Sequence, residues 1–254
     1  MGALEGKNAL VTGAGRGIGR GIATRLAADG ALVAVHYARD DASAAATVAA
    51  VRAAGGRCFP VRAELGVPGD VDTLYEAYDA GLRAEGGAPG LDILVNNAAL
   101  SISARVADVR PEDFDRLIAV NTKAPLFVVQ EGLKRMRDGG RIVNISSAAS
   151  RRALPGTLVY SMSKAAVDTL TLTLAEELGP RGITVNAVAP GFVETEMNAS
   201  RRATPEARAA IAALSVFDRI GRPDDIADIV AFLASDASRW ITGQYLDATG
   251  GSTL

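Results

Sequence analysis

The sequence predicts a doubly wound α/β domain, a seven-stranded parallel sheet with helices on both faces. Short apolar runs alternate with longer segments of helical spacing almost from end to end. Most of those runs are continuously apolar, as strands buried on both faces require. No repeat or low-complexity linker divides the 254 residues, so a single domain spanning 1–254 is expected.

The strand runs, in order, are Asn8–Thr12, Ala31–His36, Arg57–Val61, Leu91–Asn96, Arg141–Ser146, Thr184–Val188 and Gln244–Asp247. The helical segments between them are Gly17–Asp29, Asp41–Ala54, Asp70–Glu85, Pro111–Arg137, Leu158–Leu178 and Asp224–Leu233. Pro111 followed by Glu112 and Asp113 is a helix start, because proline fits the first turn and acids favour its positive end. Pro223-Asp224-Asp225 repeats the signal. Such alternation implies right-handed crossovers. Residues 192–222 break the rhythm with a polar, Ala-rich stretch and a short helix signal at Pro205–Leu214, read as a substrate lid inserted above the sheet.

Composition narrows the function. With 27 basic and 29 acidic residues the net charge is −2, and no basic stripe points to nucleic acid. Cys58 is the only cysteine, too few for an intrachain disulfide or a zinc site of its own, and no metal is expected. The N-terminus lacks the marks of a leader, and no apolar run approaches the ~18 residues of a membrane span. A cytoplasmic protein is expected.

The first strand leads into Thr12-Gly13-Ala14-Gly15-Arg16-Gly17-Ile18-Gly19 and then a helix. Glycines there permit a tight turn, and the helix N-terminus offers free N–H groups to a pyrophosphate. The second strand ends His36-Tyr37-Ala38-Arg39, without the acid that binds the ribose hydroxyl of NAD. Arg39, with Arg16, suits the 2′-phosphate of NADP instead, so NADP is expected over NAD. Asp40 and Asp41 are read as the cap of the next helix. His36, the only histidine, is read as a ribose-side contact or a filler.

The spacing of these glycines resembles the compact branch of the short-chain dehydrogenase/reductase family, whose sheet is Rossmann-like. The resemblance runs the length of the chain through Asn96-Asn97-Ala98-Ala99, Asn121, Ser146-Ser147, Tyr160-Ser161-Met162-Ser163-Lys164, Pro190-Gly191 and Thr195. Ala99 stands where the family has glycine, and Glu64-Leu65 where it has Asp-Val or Asp-Leu. Ketoreductases of the bacterial 3-oxoacyl-(acyl-carrier-protein) reductase type are the nearest pattern.

The resemblance implies a catalytic set of Asn121, Ser147, Tyr160 and Lys164. Tyr160 and Lys164, four apart, share a helix face, and a nearby ammonium lowers a phenol pKa. Ser147 would steady the substrate oxygen, Tyr160 protonate it, and Asn121 hold a water joining Lys164 to solvent. Ser146 is read as structural. Cofactor contacts are implied at Gly13, Arg16, Gly17, Ile18, Gly19, Tyr37, Arg39, Glu64, Leu65, Asn97, Ala98, Pro190, Gly191, Val193 and Thr195, besides Tyr160 and Lys164.

The expected activity is hydride transfer between NADP(H) and the carbonyl or secondary alcohol carbon of a small molecule. A 3-oxoacyl-(acyl-carrier-protein) reductase is the alternative, although Asp138 and Glu176 stand where that branch uses arginines to dock an acidic carrier. A non-catalytic NADP(H) sensor is the alternative of another class. Arg151 and Arg152 suit an anionic or aromatic substrate, or a solvated loop. Apolar surface on Leu158–Leu178 and Pro111–Arg137, with the last strand at a sheet edge, points to a homotetramer, as the resemblance does.

Overall fold

The computed structural model describes residues 2–252. Seven parallel strands form one sheet in the order β3-β2-β1-β4-β5-β6-β7. They are β1 (Asn8–Val11), β2 (Leu32–Tyr37), β3 (Arg57–Arg62), β4 (Leu91–Asn96), β5 (Met136–Ile145), β6 (Thr184–Pro190) and β7 (Tyr245–Ala248). The chain runs outward from β1 to β3, then returns to the other side of β1 with β4. That reversal opens a crevice at the carboxyl ends of β1 and β4, where open α/β sheets bind ligands.

Burial follows position in the sheet. β1, β4 and β6 are buried at every residue, whereas the edge strands β3 and β7 are exposed in part. Two apolar layers flank the sheet. One packs Ile22 and Leu26 of α1 (Gly17–Ala28), Val51 of α2 (Asp41–Ala53) and Ile226 and Val230 of α8 (Pro223–Ala234) against Val33, Val95 and Val143. The other packs Tyr75 and Tyr78 of α3 (Asp70–Ala84), Val128 of α5 (Ala124–Gly132) and Leu174 of α6 (Leu158–Leu178) against Leu10, Leu94 and Ile142.

The expected helix Pro111–Arg137 is corrected in two ways. It divides into α4 (Pro111–Ile118), a π-helical turn at Ala119–Lys123, and α5, which stops at Gly132. Leu133–Arg135 then turn, and β5 begins at Met136, five residues before the expected Arg141. The early part of β5 pairs out of step: Leu91 faces Met136, but Ile93 faces Arg141. Asp138-Gly139-Gly140 is the irregularity between, and it hid the strand's start behind a turn signal. Other boundaries differ from expectation by one or two residues.

Between β6 and α8 the chain forms a 3₁₀ segment at Glu196–Arg202 and α7 (Pro205–Ala212). Among the described residues no helix is long and apolar enough to cross a membrane.

Candidate active site

A cavity of about 900 Å³ lies over the β1/β4 crevice. Its walls include every residue the sequence implicated in cofactor contact, and Ser147, Tyr160 and Lys164. Asn121 alone of the expected set is not in the wall.

The glycine turn fits a dinucleotide. Gly13 sits at φ +64, and a Cβ there would lie 2.9 Å from the Ala98 Cα; one on Gly19 would lie 2.3 Å from the Gly13 carbonyl oxygen. Side chains are thereby kept out where a pyrophosphate must approach the backbone. α1 begins at Gly17 with no side-chain cap and no acid in its first turn, so its N–H groups face the cavity side free for an anion.

The turn is braced from below. The Thr12 hydroxyl accepts from the N–H groups of Asn97 (2.9 Å) and Ala98 (3.0 Å), and the Asn97 amide donates to the carbonyl of Thr12 (2.8 Å). His36 is no filler. Its Nδ1 accepts from the Gly13 N–H (3.0 Å) and its Nε2 meets the Ala63 carbonyl (2.9 Å), which fits a neutral ring. Burial pulls its pKa down to about 4, against the Ala63 bond.

At the adenosine end the two expected phosphate ligands already have carboxylate partners. Arg39 forms a two-pronged ion pair with Glu64, and Arg16 stands 3.9 Å from Asp40. Asp40 also caps α2, accepting from the Ser43 N–H at 2.9 Å. Both pairs are exposed, so a phosphate of higher charge can exchange for either carboxylate at small cost.

The catalytic wall comes from β5 and α6. Ser147 follows β5 and takes a hydrogen bond from the Ala149 N–H at 3.2 Å. Tyr160 stands in the first turn of α6, and burial raises its pKa while hydrogen bonding to Ser147 and the charge of Arg201 pull it back. The buried Lys164 ammonium donates to the Ile145 carbonyl at 2.7 Å and lies 5.9 Å from the Tyr160 ring centre. Burial brings Lys164 down to about 8, opposed by Asp168.

Asn121 sits on the π-helical turn behind this wall. Its Oδ1 accepts from the Leu100 N–H (2.8 Å), and its Nδ2 donates to the Leu100 carbonyl (2.9 Å) and the Ser163 hydroxyl (3.1 Å). Ser163 in turn donates to the Tyr160 carbonyl at 2.7 Å. The Asn121 side chain thereby clamps the loop after β4 to the turn that carries Tyr160.

Three further residues, Asp168, Ser163 and Arg201, were given no role by the sequence. Asp168 is buried one helical turn beyond Lys164 and accepts from Ser146 at 2.5 Å, which gives Ser146 its structural role. Arg151 lies 3.7 Å from Asp168 and 3.6 Å from the centre of the Tyr245 ring. Arg152 pairs with Asp247 at 2.8 Å. The arginine pair thus braces β7, Arg151 against Tyr245 and Arg152 through Asp247, while Arg152 also lines the cavity. Ser163 and Arg201 complete the group; Ser163 was hidden inside the Tyr-to-Lys motif.

Comparison with known proteins follows this geometry. The family model described as enoyl-(acyl carrier protein) reductase, a short-chain dehydrogenase model, matches residues 13–253. The chain resembles the promiscuous reductase LugOII, which catalyses keto-reduction at C1 in lugdunomycin biosynthesis: 52% identity, TM-score 0.96, covering 99% of this chain and 100% of that one. The angucycline C-6 ketoreductase LanV, solved with NADP bound, is 51% identical with TM-score 0.94, over 98% and 96% of the two chains. Versicolorin reductase of Emericella nidulans is 40% identical over 98% of this chain and 96% of its own.

Proposed function

The chain belongs to the short-chain dehydrogenase/reductase family, and from that premise we propose that it is an NADP(H)-dependent ketoreductase acting on polycyclic polyketide-type ketones. The observation that carries the reading is one cavity lined by the glycine turn, Ser147, Tyr160 and Lys164 together. LanV was solved with NADP and with rabelomycin, and the Emericella relative reduces a versicolorin by name; both support the substrate class.

Bound NADPH supplies a hydride to the carbonyl carbon. The protein supplies the rest. Ser147 donates a hydrogen bond to the substrate oxygen, where negative charge gathers as the carbonyl is reduced. Tyr160, held protonated by its burial, gives that oxygen its proton. Lys164 recharges the phenol and takes the nicotinamide ribose. Asn121 positions the first turn of α6 through Ser163. Arg39 and Arg16 exchange their carboxylates for the 2′-phosphate, and the 192–222 insertion covers the substrate. Asp138, at the edge expected to meet a carrier protein, pairs with Arg181 at 2.8 Å, leaving the acidic-carrier reading without support there.

We further infer a cytoplasmic homotetramer. Met162 and Leu172 on α6, Phe114, Leu126 and Phe127 on α4 and α5, and Trp240 before β7 are all exposed apolar side chains, a pattern that assembly would cover.

The test is oxidation of NADPH and NADH, followed by absorbance, against a panel of aromatic polycyclic, simple and sugar ketones. We expect turnover of the polycyclic ketones, with NADPH bound at least about tenfold tighter than NADH, a difference near 1.4 kcal/mol. Arg39→Asp should narrow or reverse that ratio. Equal affinities in the parent would overturn the phosphate assignment, and an inert panel would overturn the activity.

A further inference from the structure

The substrate end of the cavity is electrically lopsided. Three carboxylates line the cavity: Asp40, Glu64 and Glu196. Asp40 and Glu64 stand at the adenosine end in ion pairs. Glu196, on the insertion, turns its carboxylate to the glycine turn, 3.6 Å from where a Gly17 Cβ would lie. Around Tyr160 the walls are neutral, with Ser101, Ser147, Leu154 and Leu214 among them, except for cations.

Among the arginines that line the cavity, Arg116 and Arg201 have no ion pair among the described residues, and Arg201 is the one whose charge acts on Tyr160. Its neighbour Arg202 folds back into the insertion, donating to Asn198 at 3.1 Å and to the Thr195 carbonyl at 2.9 Å. Arg208 is paired with Glu194, and Arg152 with Asp247. Arg201 has no carboxylate partner among the described residues; its one hydrogen bond, 2.7 Å, goes to the neutral Ser103 hydroxyl on the loop after β4. Its charge nevertheless reaches the reacting group, since it helps stabilise ionised Tyr160. A guanidinium keeps donors in reserve after one bond, and it favours a planar or anionic oxygen partner.

We propose that Arg201 recognises a second oxygen of the substrate, the phenolate or enolate of a hydroxylated polycyclic ketone, while Tyr160 and Ser147 hold the carbonyl being reduced. This rests on the ketoreductase reading and adds its specificity determinant. The neutral Ser103 contact holds the guanidinium without cancelling its charge. An ionised oxygen entering beside Tyr160 then meets a cation with no competing carboxylate.

Two probes of one shape test the assignment: lawsone, a naphthoquinone whose enol is ionised at neutral pH, and its methyl ether. Each is titrated by calorimetry into the complex of the protein with NADP, so the readout needs no turnover. The parent should bind lawsone about tenfold more tightly than the ether, the worth of one charge-assisted hydrogen bond. Arg201→Gln should bring that ratio close to one, and Arg201→Lys should retain part of it. Ser103→Ala, which cuts the contact but keeps the charge, should preserve it. Equal affinities in the parent, no binding of either probe, or a fall of both probes together in Arg201→Gln overturns the proposal. The NADPH oxidation panel reports separately on the ketoreductase reading, so failure of one is distinguishable from failure of the other.

Discussion

The glycine turn and the 192–222 insertion face each other across one cavity and are built on opposite plans. The turn is fixed by backbone and buried polar groups: Thr12, His36 and Asn97 each bond main-chain atoms, and added Cβ atoms would collide with Ala98 or Gly13. The insertion rests on half-buried and exposed side chains, with Arg202 holding Asn198 and Thr195, Arg208 paired with Glu194, and Met197, Val216 and Phe217 open to solvent. A dinucleotide keeps one shape, so its seat can be over-determined. A substrate seat held by a few solvated contacts can be remodelled without disturbing the sheet.

The largest expected effect falls between the two regions. Tyr160→Phe should lower turnover by about 10²–10⁴, the usual worth of a positioned acid, while NADPH affinity and the melting temperature stay near those of the parent. Stopped-flow hydride transfer with parallel fluorescence titration checks both. Near-parental turnover would remove Tyr160 from the chemistry.

Acid should then break the turn before the insertion. His36 is neutral in the fold, with a pKa near 4 against 6.5 in the unfolded chain. Between those values the unfolded state binds a proton that the native state refuses, so stability falls as the pH drops from 6.5 towards 4. The loss is on the order of 3 kcal/mol. Urea unfolding at several pH values should show that slope in the parent and a flatter one in His36→Asn. An unchanged slope in the variant would assign the acid sensitivity elsewhere.

The smallest effect sharpens the contrast. Arg202→Ala removes two part-buried hydrogen bonds within the insertion, and should raise the ketone KM about threefold, equivalent to under 1 kcal/mol. NADPH affinity should not change. A comparable loss of NADPH binding would mean that the two regions are coupled more tightly than their contacts indicate.

The fold was legible because its pattern is repetitive: continuous apolar strands, proline-acid helix starts and a glycine turn each state one local preference. The 111–137 region failed that reading. Apolar spacing through Leu117, Val128 and Val129 looks the same with or without one extra residue in a turn, and Gly132 at the helix end stands alone, with no further glycine or proline before Gly139. In the candidate site, residues tied to a motif could be named from the sequence, and the partners that hold them could not. Arg39 and Glu64 lie 25 apart in sequence, and nothing local to either predicts their ion pair. Asp168 was hidden for the opposite reason. An acid in a long helix reads as solvated, and only the fold brings Ser146 and Arg151 to it.

The π-helical turn at Ala119–Lys123 has a geometric corollary. It holds one more residue than a regular turn would, and an α-helix advances about 100° per residue. Excising a single residue there would let the two flanking helices merge into a continuous ladder, a gain in regularity. It would also swing Asn121 by about that angle away from the Leu100 backbone and Ser163, which it now holds at 2.8–3.1 Å. The irregular turn is in this sense a phase-setting device, rotating the Asn121 amide into register with α6 while the apolar faces on either side stay seated against the sheet.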